Sequence, residues 1–166
     1  MIAIGIDPGR DGAIVCIDEE CRVVAQMRMS TLVAEWNTVA ATSLRVWFLG
    51  LARRDLVWLE SLQRRPGEAT KAAQTQGIGW GLMLGVLGGL AVDVQVVRPQ
   101  VWRRAIGLPL SSSREEAKSG TIEWARGVRD LDLCPGRCAA PHNGLADAAG
   151  LAAGALTELV RRRRST

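Results

Sequence analysis

The sequence predicts an α/β domain with a mixed five-stranded sheet flanked by helices. Three short apolar or alternating runs separated by short turns open the chain, which is typical of antiparallel strands. Farther along, helical spacing alternates with two more apolar runs, as in a sheet whose later strands are parallel. The 166 residues are 48% hydrophobic, so we expect one domain over residues 1–166, ending in a basic tail at 161–166.

The first three strands are predicted at residues 1–7, 12–18 and 22–29. The connections at 8–11 and 19–21 are short enough for tight turns between antiparallel neighbours. We therefore expect the chain to begin as an antiparallel meander.

A helix, a buried strand and a second helix are predicted next. Apolar residues at helical spacing predict a helix over 31–52. The uninterrupted apolar run Leu56–Glu60 is typical of a central parallel strand. Residues 61–68 are polar, contain a Pro-Gly pair and predict a loop, after which a helix is predicted over 69–90.

The rest of the chain predicts one more strand and two more helices. The strand is expected at 92–98, where apolar and polar residues alternate. A helix is expected over 113–127, because serines that could cap it precede two glutamates in its first turn. Residues 130–141 predict a loop, and 145–163 predict the final helix.

The second predicted helix carries a glycine at every fourth position. Each glycine costs a helix about 1 kcal/mol relative to alanine, so the pattern indicates that a backbone must come close to something. A second copy of the helix, the chain's own sheet and a membrane neighbour are the candidates. The uncharged run at 77–92 is only 16 residues long, and we therefore expect no membrane partner. The glycines are Gly77, Gly81, Gly85 and Gly89.

The charge of the chain suits a polyanionic partner. The net charge is +4 and the pI is about 9.3. Basic residues lie together in four places: Arg53-Arg54, Arg64-Arg65, Arg103-Arg104 and residues 161–164.

The cysteines suggest a reduced, cytoplasmic setting. Met1 leads directly into a strand pattern rather than a secretory signal, so structural disulfides are not expected. Cys134, Cys138 and His142 are spaced by four residues each, which leaves open a zinc site. Free loop thiols are the favoured interpretation, because this is not the usual zinc-knuckle spacing.

Three acids far apart in the chain are the strongest functional signal. Asp7 and Glu60 each end an apolar run, and Asp147 lies near the start of an Ala-rich helical stretch. A carboxylate at the end of a buried run is costly unless a cation compensates it. Oxygen ligands of this kind suit Mg²⁺, so we interpret the three acids as a metal-dependent nuclease site.

The first acid lies in a strand–turn–strand motif that opens two kinds of protein of one fold. In actin-like and sugar-kinase ATPases the motif cradles phosphate, whereas in RNase H-like nucleases its Asp holds metal. The ATPases need a second similar domain, which 166 residues cannot hold. The nucleases need an acid at the end of the fourth strand and another on the last helix, where Glu60 and Asp147 stand.

In order along the chain, five motifs resemble RuvC-type Holliday junction resolvases of the compact phage-like kind. The resemblance implies an RNase H-like fold, metal binding by Asp7, Glu60 and Asp147, and a homodimer with the glycine-rich second helix at its interface. The motifs are IAIGIDPGRDGAIV at 2–15, VWLESLQ at 57–63, QGIGWGLMLGVLGG at 76–89, VVRPQVWRRAIG at 96–107 and NGLADAAGLA at 143–152.

A fourth polar ligand normally precedes the last acid of such proteins. Gly144, three residues before Asp147, has no side chain for this role. His142 and Asn143 remain as alternatives, since imidazole can ligate or act as a base and the amide can ligate without charge.

The resemblance also implies the chemistry. Two Mg²⁺ or Mn²⁺ ions per site would share Asp7, activate a water and stabilise the leaving 3′ oxygen, giving 5′-phosphate and 3′-hydroxyl ends. Lys118 and Arg114 are candidates for neutralising charge on the phosphorane. The substrate would be a four-way DNA junction in a bacterial or phage-infected cell.

Contacts with DNA are expected to be mainly to phosphates. Arg64, Arg65 and Lys71 flank the loop after Glu60, and we assign them, with Arg103 and Arg104, to DNA binding. Unlike the bacterial resolvases, the chain has no aromatic residue between positions 61 and 78 that could stack on a base. Trp102 is expected to pack in the core or at a strand end rather than to act as a platform for a base.

Two alternatives to a junction-resolving enzyme remain. Asn143 and the missing loop aromatic would also fit a catalytically weakened homologue that binds branched DNA without cutting it. A nuclease for other branched or flap DNA is the third possibility.

Overall fold

The computed structural model describes residues 1–9, 11–32, 37–51, 53–62, 70–109, 113–136 and 140–165. Its elements are β1 (Ile2–Asp7), β2 (Ala13–Asp18), β3 (Val23–Arg28), α1 (Met29–Leu32), α2 (Thr38–Leu49), β4 (Leu56–Glu60), α3 (Thr70–Gly89), β5 (Val94–Val97), α4 (Pro99–Ala105), α5 (Arg114–Ala125) and α6 (Asn143–Arg164).

The sheet has five strands in the order β3-β2-β1-β4-β5. The first three strands pair antiparallel, and β4 pairs parallel with both β1 and β5. This arrangement confirms the predicted mixed sheet. Ile6 of β1 lies opposite Leu59 of β4, so the acid that follows each residue ends its strand at the same edge of the sheet.

Each face of the sheet is covered by helices. On one face, α6 packs with α4 and α5 over a core that includes Trp58, Trp102 and Leu151. On the other face, α2 and α3 cover a core that includes Ile4 and Phe48. The central strands are therefore buried on both sides, which explains the continuous apolar run of β4.

The helix predicted over 31–52 is divided in the structure. Asn37 has an extended backbone, and its side-chain oxygen accepts hydrogen bonds from the amides of Val39 and Ala40. Asn37 thereby caps a new helix, α2, instead of continuing one. The prediction of a single helix was wrong because apolar spacing does not register a cap within the stretch.

The short helix α4 was not predicted. Arg98 follows β5 with an extended backbone and precedes the helix, and Pro99 occupies the first turn of the helix. Proline suits that position because its fixed φ is already helical and the amide it lacks would have no partner within the helix. Since α4 follows β5 directly, it returns the chain to the α6 face of the sheet.

The glycine stripe of α3 points away from the chain's own sheet. A Cβ atom added at Gly77, Gly81, Gly85 or Gly89 would meet no atom of the described residues within 4 Å. The buried side of α3 is instead formed by residues such as Met83 and Leu87. The suggestion that the stripe packs on the sheet was therefore wrong. No helix in the described part of the chain is long and apolar enough to span a membrane.

Candidate active site

Asp7 and Glu60 end the two central parallel strands. One carboxylate oxygen of Asp7 accepts the Gly9 amide at 3.0 Å, which fixes the side chain against the turn that follows β1. Gly12 closes this turn, and an added Cβ there would lie 2.1 Å from the Asp7 carbonyl oxygen. The turn is therefore compact because it contains glycines.

The third acid, Asp147, is brought to the same edge by two close backbone approaches. At Gly144, an added Cβ would lie 2.2 Å from the carbonyl oxygen of Asp11. At Gly5 of β1, an added Cβ would lie 2.0 Å from the carbonyl oxygen of Ala148. Glycines at both places let the start of α6 lie against β1 and its turn, which brings Asp147 towards Asp7.

The acids act on one another electrostatically. The pKa of Glu60 is raised to about 8, first by burial and then by the charge of Asp7. The charge of Asp147 raises it further, whereas the Trp102 hydrogen bond and the charge of Arg103 oppose the shift.

Asp147 is shifted in the same direction. Burial and the charge of Asp7 raise its pKa to about 7. Arg103, Lys118 and a hydrogen bond with Thr121 oppose the shift. Near neutral pH, the protonated fraction of both acids is therefore larger than that of an exposed carboxyl group.

The donor set fits a hard divalent cation. Buried carboxylates that repel one another are stabilised when a cation replaces their protons, and oxygen ligands suit Mg²⁺ or Mn²⁺. Among the described residues, no three His, Cys, Asp or Glu side chains are already arranged so that they could hold a metal ion. The acids thus share an electrostatic environment without forming a closed cage.

Helix α4 supplies two partners of the acids from adjacent positions. The indole N–H of Trp102 donates to Oε1 of Glu60 at 3.1 Å. The guanidinium of Arg103 lies 3.8 Å from Oδ1 of Asp147. Trp102 is buried, as expected, but its contact with Glu60 was not predicted, since nothing in the sequence links residues 42 positions apart.

Arg103 lies in the site rather than on an open surface. Its side chain is 12% exposed and donates to the carbonyl oxygen of Ala117 at 3.0 Å and to Oγ1 of Thr121 at 2.7 Å. Its assignment to DNA binding stays a prediction, but these contacts direct it towards α5 and Asp147. Arg104, the next residue, is exposed.

His142 caps α6. Its Nδ1 accepts the amide of Leu145 at 3.2 Å, which leaves Nε2 to carry the proton of the neutral ring. Burial and then the charge of Arg28 lower its pKa, and Asp11 opposes this shift. Asn143 is the first residue of α6 and is partly buried. The choice between His142 and Asn143 as fourth ligand stays open.

The remaining predicted site residues are described unequally. The charge of Lys118 on α5 lowers the pKa of Asp147, and its role at the site stays a prediction. Arg64, Arg65 and Cys138 lie outside the described residues, as do the side chains of Lys71 and Arg114. Cys138 is one of the three residues of the alternative zinc site, so this alternative falls partly outside the described residues.

Comparison with known proteins identifies the fold. No protein-family model matches the chain, and no curated protein matches it in sequence. Among solved structures, RuvC of Thermus thermophilus in complex with a Holliday junction substrate matches with a TM-score of 0.63 and 21% identity, over 100% of this chain and 97% of that one.

A second solved structure of Thermus thermophilus RuvC matches with a TM-score of 0.62 and 22% identity, over 100% of this chain and 98% of that one. The chain therefore has the RNase H-like fold of RuvC over its whole length, and the predicted fold is confirmed.

Proposed function

We propose that this protein is a structure-specific endonuclease that cuts four-way DNA junctions with the help of divalent metal ions. The observation that carries the proposal is that Asp7 and Glu60 end neighbouring parallel strands at one edge of the sheet, and that the charge of Asp7 acts on both Glu60 and Asp147. The similarity in fold to a RuvC that binds a Holliday junction substrate supports the choice of substrate.

The acids would hold the metal ions, with Asn143 or His142 as a further ligand. Two bound Mg²⁺ or Mn²⁺ ions would supply an activated water and stabilise the leaving 3′ oxygen, giving 5′-phosphate and 3′-hydroxyl ends. Asp7, fixed by the Gly9 amide, would be the ligand shared between them.

Lys118 would bring positive charge to the scissile phosphate. It is near enough to Asp147 to lower the pKa of that acid, and it lies on α5. Cations aimed at a phosphoryl group stabilise the charge of the transition state. Arg103, by contrast, is held by α5 and is better suited to orient Asp147.

DNA binding would rest on basic residues. We assign Arg64, Arg65, Lys71 and Arg104 to phosphate contacts, which agrees with the basic pI of about 9.3. The protein would act in the cytoplasm of a bacterial or phage-infected cell, where DNA junctions arise.

The active form would be a homodimer paired through α3. The open space around its glycines allows a second helix to approach, and Ile78 beside them is 49% exposed. Two sites related by a two-fold axis would cut two strands of a junction symmetrically.

Cleavage of a synthetic four-way junction tests the proposed activity. With Mg²⁺ or Mn²⁺, the protein should make paired symmetric nicks with 5′-phosphate ends, and three-way and flap substrates should be cut more slowly. Asp7→Asn should lower the rate by about 100-fold, because the amide brings no negative charge to the bound cations. Asp93→Asn, which changes an exposed acid paired with Arg162, should leave the rate unchanged.

Faster cutting of the flap than of the four-way junction would favour the general branched-DNA nuclease. Equal rates for Asp7→Asn and the unaltered protein would overturn the assignment of the site.

The second candidate is a branched-DNA-binding protein with weakened catalysis. Asn143 at the start of α6 favours it, because an amide brings no negative charge to the metals. Tight junction binding without nicks under either metal, together with nicking by Asn143→Asp, would establish this candidate.

A further inference from the structure

Trp102 contacts Glu60 through a single polar atom. Its indole N–H donates to Oε1 of Glu60 at 3.1 Å, while the ring is 1% exposed in the core between α4 and α6. A buried indole has no rotational freedom to follow a moving carboxylate. The bond therefore ties the orientation of Glu60 to the position of the ring.

The ring of Trp102 in turn sits on α6. A Cβ atom added at Gly150 would lie 2.7 Å from Cζ3 of Trp102 and 3.2 Å from Cδ1 of Ile106. Gly150 follows Asp147 by about one helical turn, so the ring of Trp102 packs against the same helix that carries Asp147. Because the Trp102 ring both packs on α6 and bonds to Glu60, it positions Glu60 of β4 relative to Asp147.

The same core contains a second tryptophan held in a similar way. The indole N–H of Trp58 donates to Oε1 of Gln95 at 2.9 Å, and Gly154 provides its seat, where an added Cβ would lie 2.3 Å from Cζ3. Trp58 is also buried. The two pairs differ in the group that receives the indole hydrogen bond, an amide in one case and a site acid in the other.

We propose that Trp102 is a positioning residue. Its ring packs against Gly150, and its N–H fixes the orientation of the Glu60 carboxylate for binding of a divalent cation. The inference rests on the proposed function, because it takes Glu60 as a ligand. Trp102 would act through Glu60 and would touch neither metal nor DNA. Arg103, the next residue, contacts Asp147 from the same helix, so α4 reaches two of the three acids.

The test compares two matched pairs of variants. Trp102→Phe removes the N–H donor while keeping most of the ring, and Gly150→Ala displaces the ring without altering its chemistry. Trp58→Phe and Gly154→Ala make the same changes at the second tryptophan, whose indole N–H donates to Gln95. Mn²⁺ affinity is measured by calorimetry and by the electron paramagnetic resonance of the bound ion, and folding is checked by thermal unfolding.

Trp102→Phe and Gly150→Ala should weaken Mn²⁺ binding about 10-fold and change the resonance spectrum, as loss of a group that orients a metal ligand does. The control pair should lower the melting temperature by a similar amount and leave Mn²⁺ binding unchanged. If Trp102→Phe does not fold, benzothienylalanine at position 102 removes the donor at constant shape and should give the same loss.

Unchanged Mn²⁺ affinity in the Trp102 variants, or equal loss in both pairs, would overturn the positioning role while leaving junction cleavage intact. Weaker Mn²⁺ binding in the Trp102 pair alone would support it even if no junction is cut. Failure of the unaltered protein to bind Mn²⁺ would overturn this inference as well as the metal site.

Discussion

At the residue scale, Glu60 and Asp147 dominate the account because burial and the charge of Asp7 favour their protonated forms. The sequence predicted all three acids as site residues, since each stands where an apolar run ends or a helix begins. It did not identify Trp102 or Arg103 as their partners, because contacts between distant parts of the chain leave no periodic signal.

The raised pKa values predict that the metal-free protein loses stability as the pH rises. A group whose pKa is higher in the folded protein than in the unfolded chain stabilises the folded state. This stabilisation is complete below the unfolded pKa and is lost as the pH rises through the folded pKa. For Glu60 this interval runs from 4.5 to about 8, and for Asp147 from 3.8 to about 7. His142, whose pKa is lowered from 6.5, acts in the opposite direction but only below that pH.

Between pH 6.5 and 8, the change in stability with pH therefore comes from Glu60 and Asp147 and not from His142. With a chelator present, the free energy of unfolding should fall over this pH interval. Each acid that loses its proton contributes a slope of at most about 1.4 kcal/mol per pH unit. Urea denaturation at several pH values measures it, and Glu60→Gln should flatten the dependence. Mg²⁺ should restore more stability at pH 8 than at pH 6.5. Stability that rises over this window would refute the assigned shifts.

At the element scale, the position of α6 is set by glycines on both surfaces in contact. Gly5 of β1 and Gly144 of α6 remove the Cβ atoms that would hold the backbones apart. The sequence predicted α6 and β1 but not their close approach, because a lone glycine in a strand has several explanations. The capping of α2 by Asn37 was missed for a related reason, since asparagine also occurs in ordinary loops.

Gly5→Ala should therefore destabilise the protein. The added methyl would overlap the Ala148 carbonyl oxygen, and the shift of α6 should cost about 1–3 kcal/mol. Chemical denaturation measures the change. Gly120→Ala of α5 is the control: an added Cβ there meets no described atom within 4 Å, and the substitution should stabilise by about 1 kcal/mol. Equal effects of the two substitutions would argue against the close packing of α6 on β1.

The open face of α3 leads to a separate prediction about association. Gly85→Leu should leave the monomer folded, since the position has room, but should block approach of a second α3 and lower the dimer fraction. Sedimentation at equal concentrations measures this, with Gly120→Leu on α5 as the control. A dimer that persists unchanged in Gly85→Leu would exclude this interface.

At the scale of the whole molecule, the strand order places two of the three predicted site acids at one edge of the sheet. An antiparallel meander followed by two strands that alternate with helices specifies the mixed sheet, and parallel pairing of β1 with β4 brings Asp7 and Glu60 to one edge. The order of the elements along the chain does not specify how far the start of α6 extends over that edge. Its position depends on the glycine contacts of α6 and on the contacts that Trp102 and Arg103 of α4 make with the acids.

The central claim is that Asp7, Glu60 and Asp147 jointly hold divalent ions. Its most direct test is an anomalous difference map from crystals of the protein grown with Mn²⁺. We expect strong peaks bounded by the three carboxylates and their loss in the Asp7→Asn variant. A map with no peak among these side chains, at Mn²⁺ concentrations that support any junction cleavage, would contradict it.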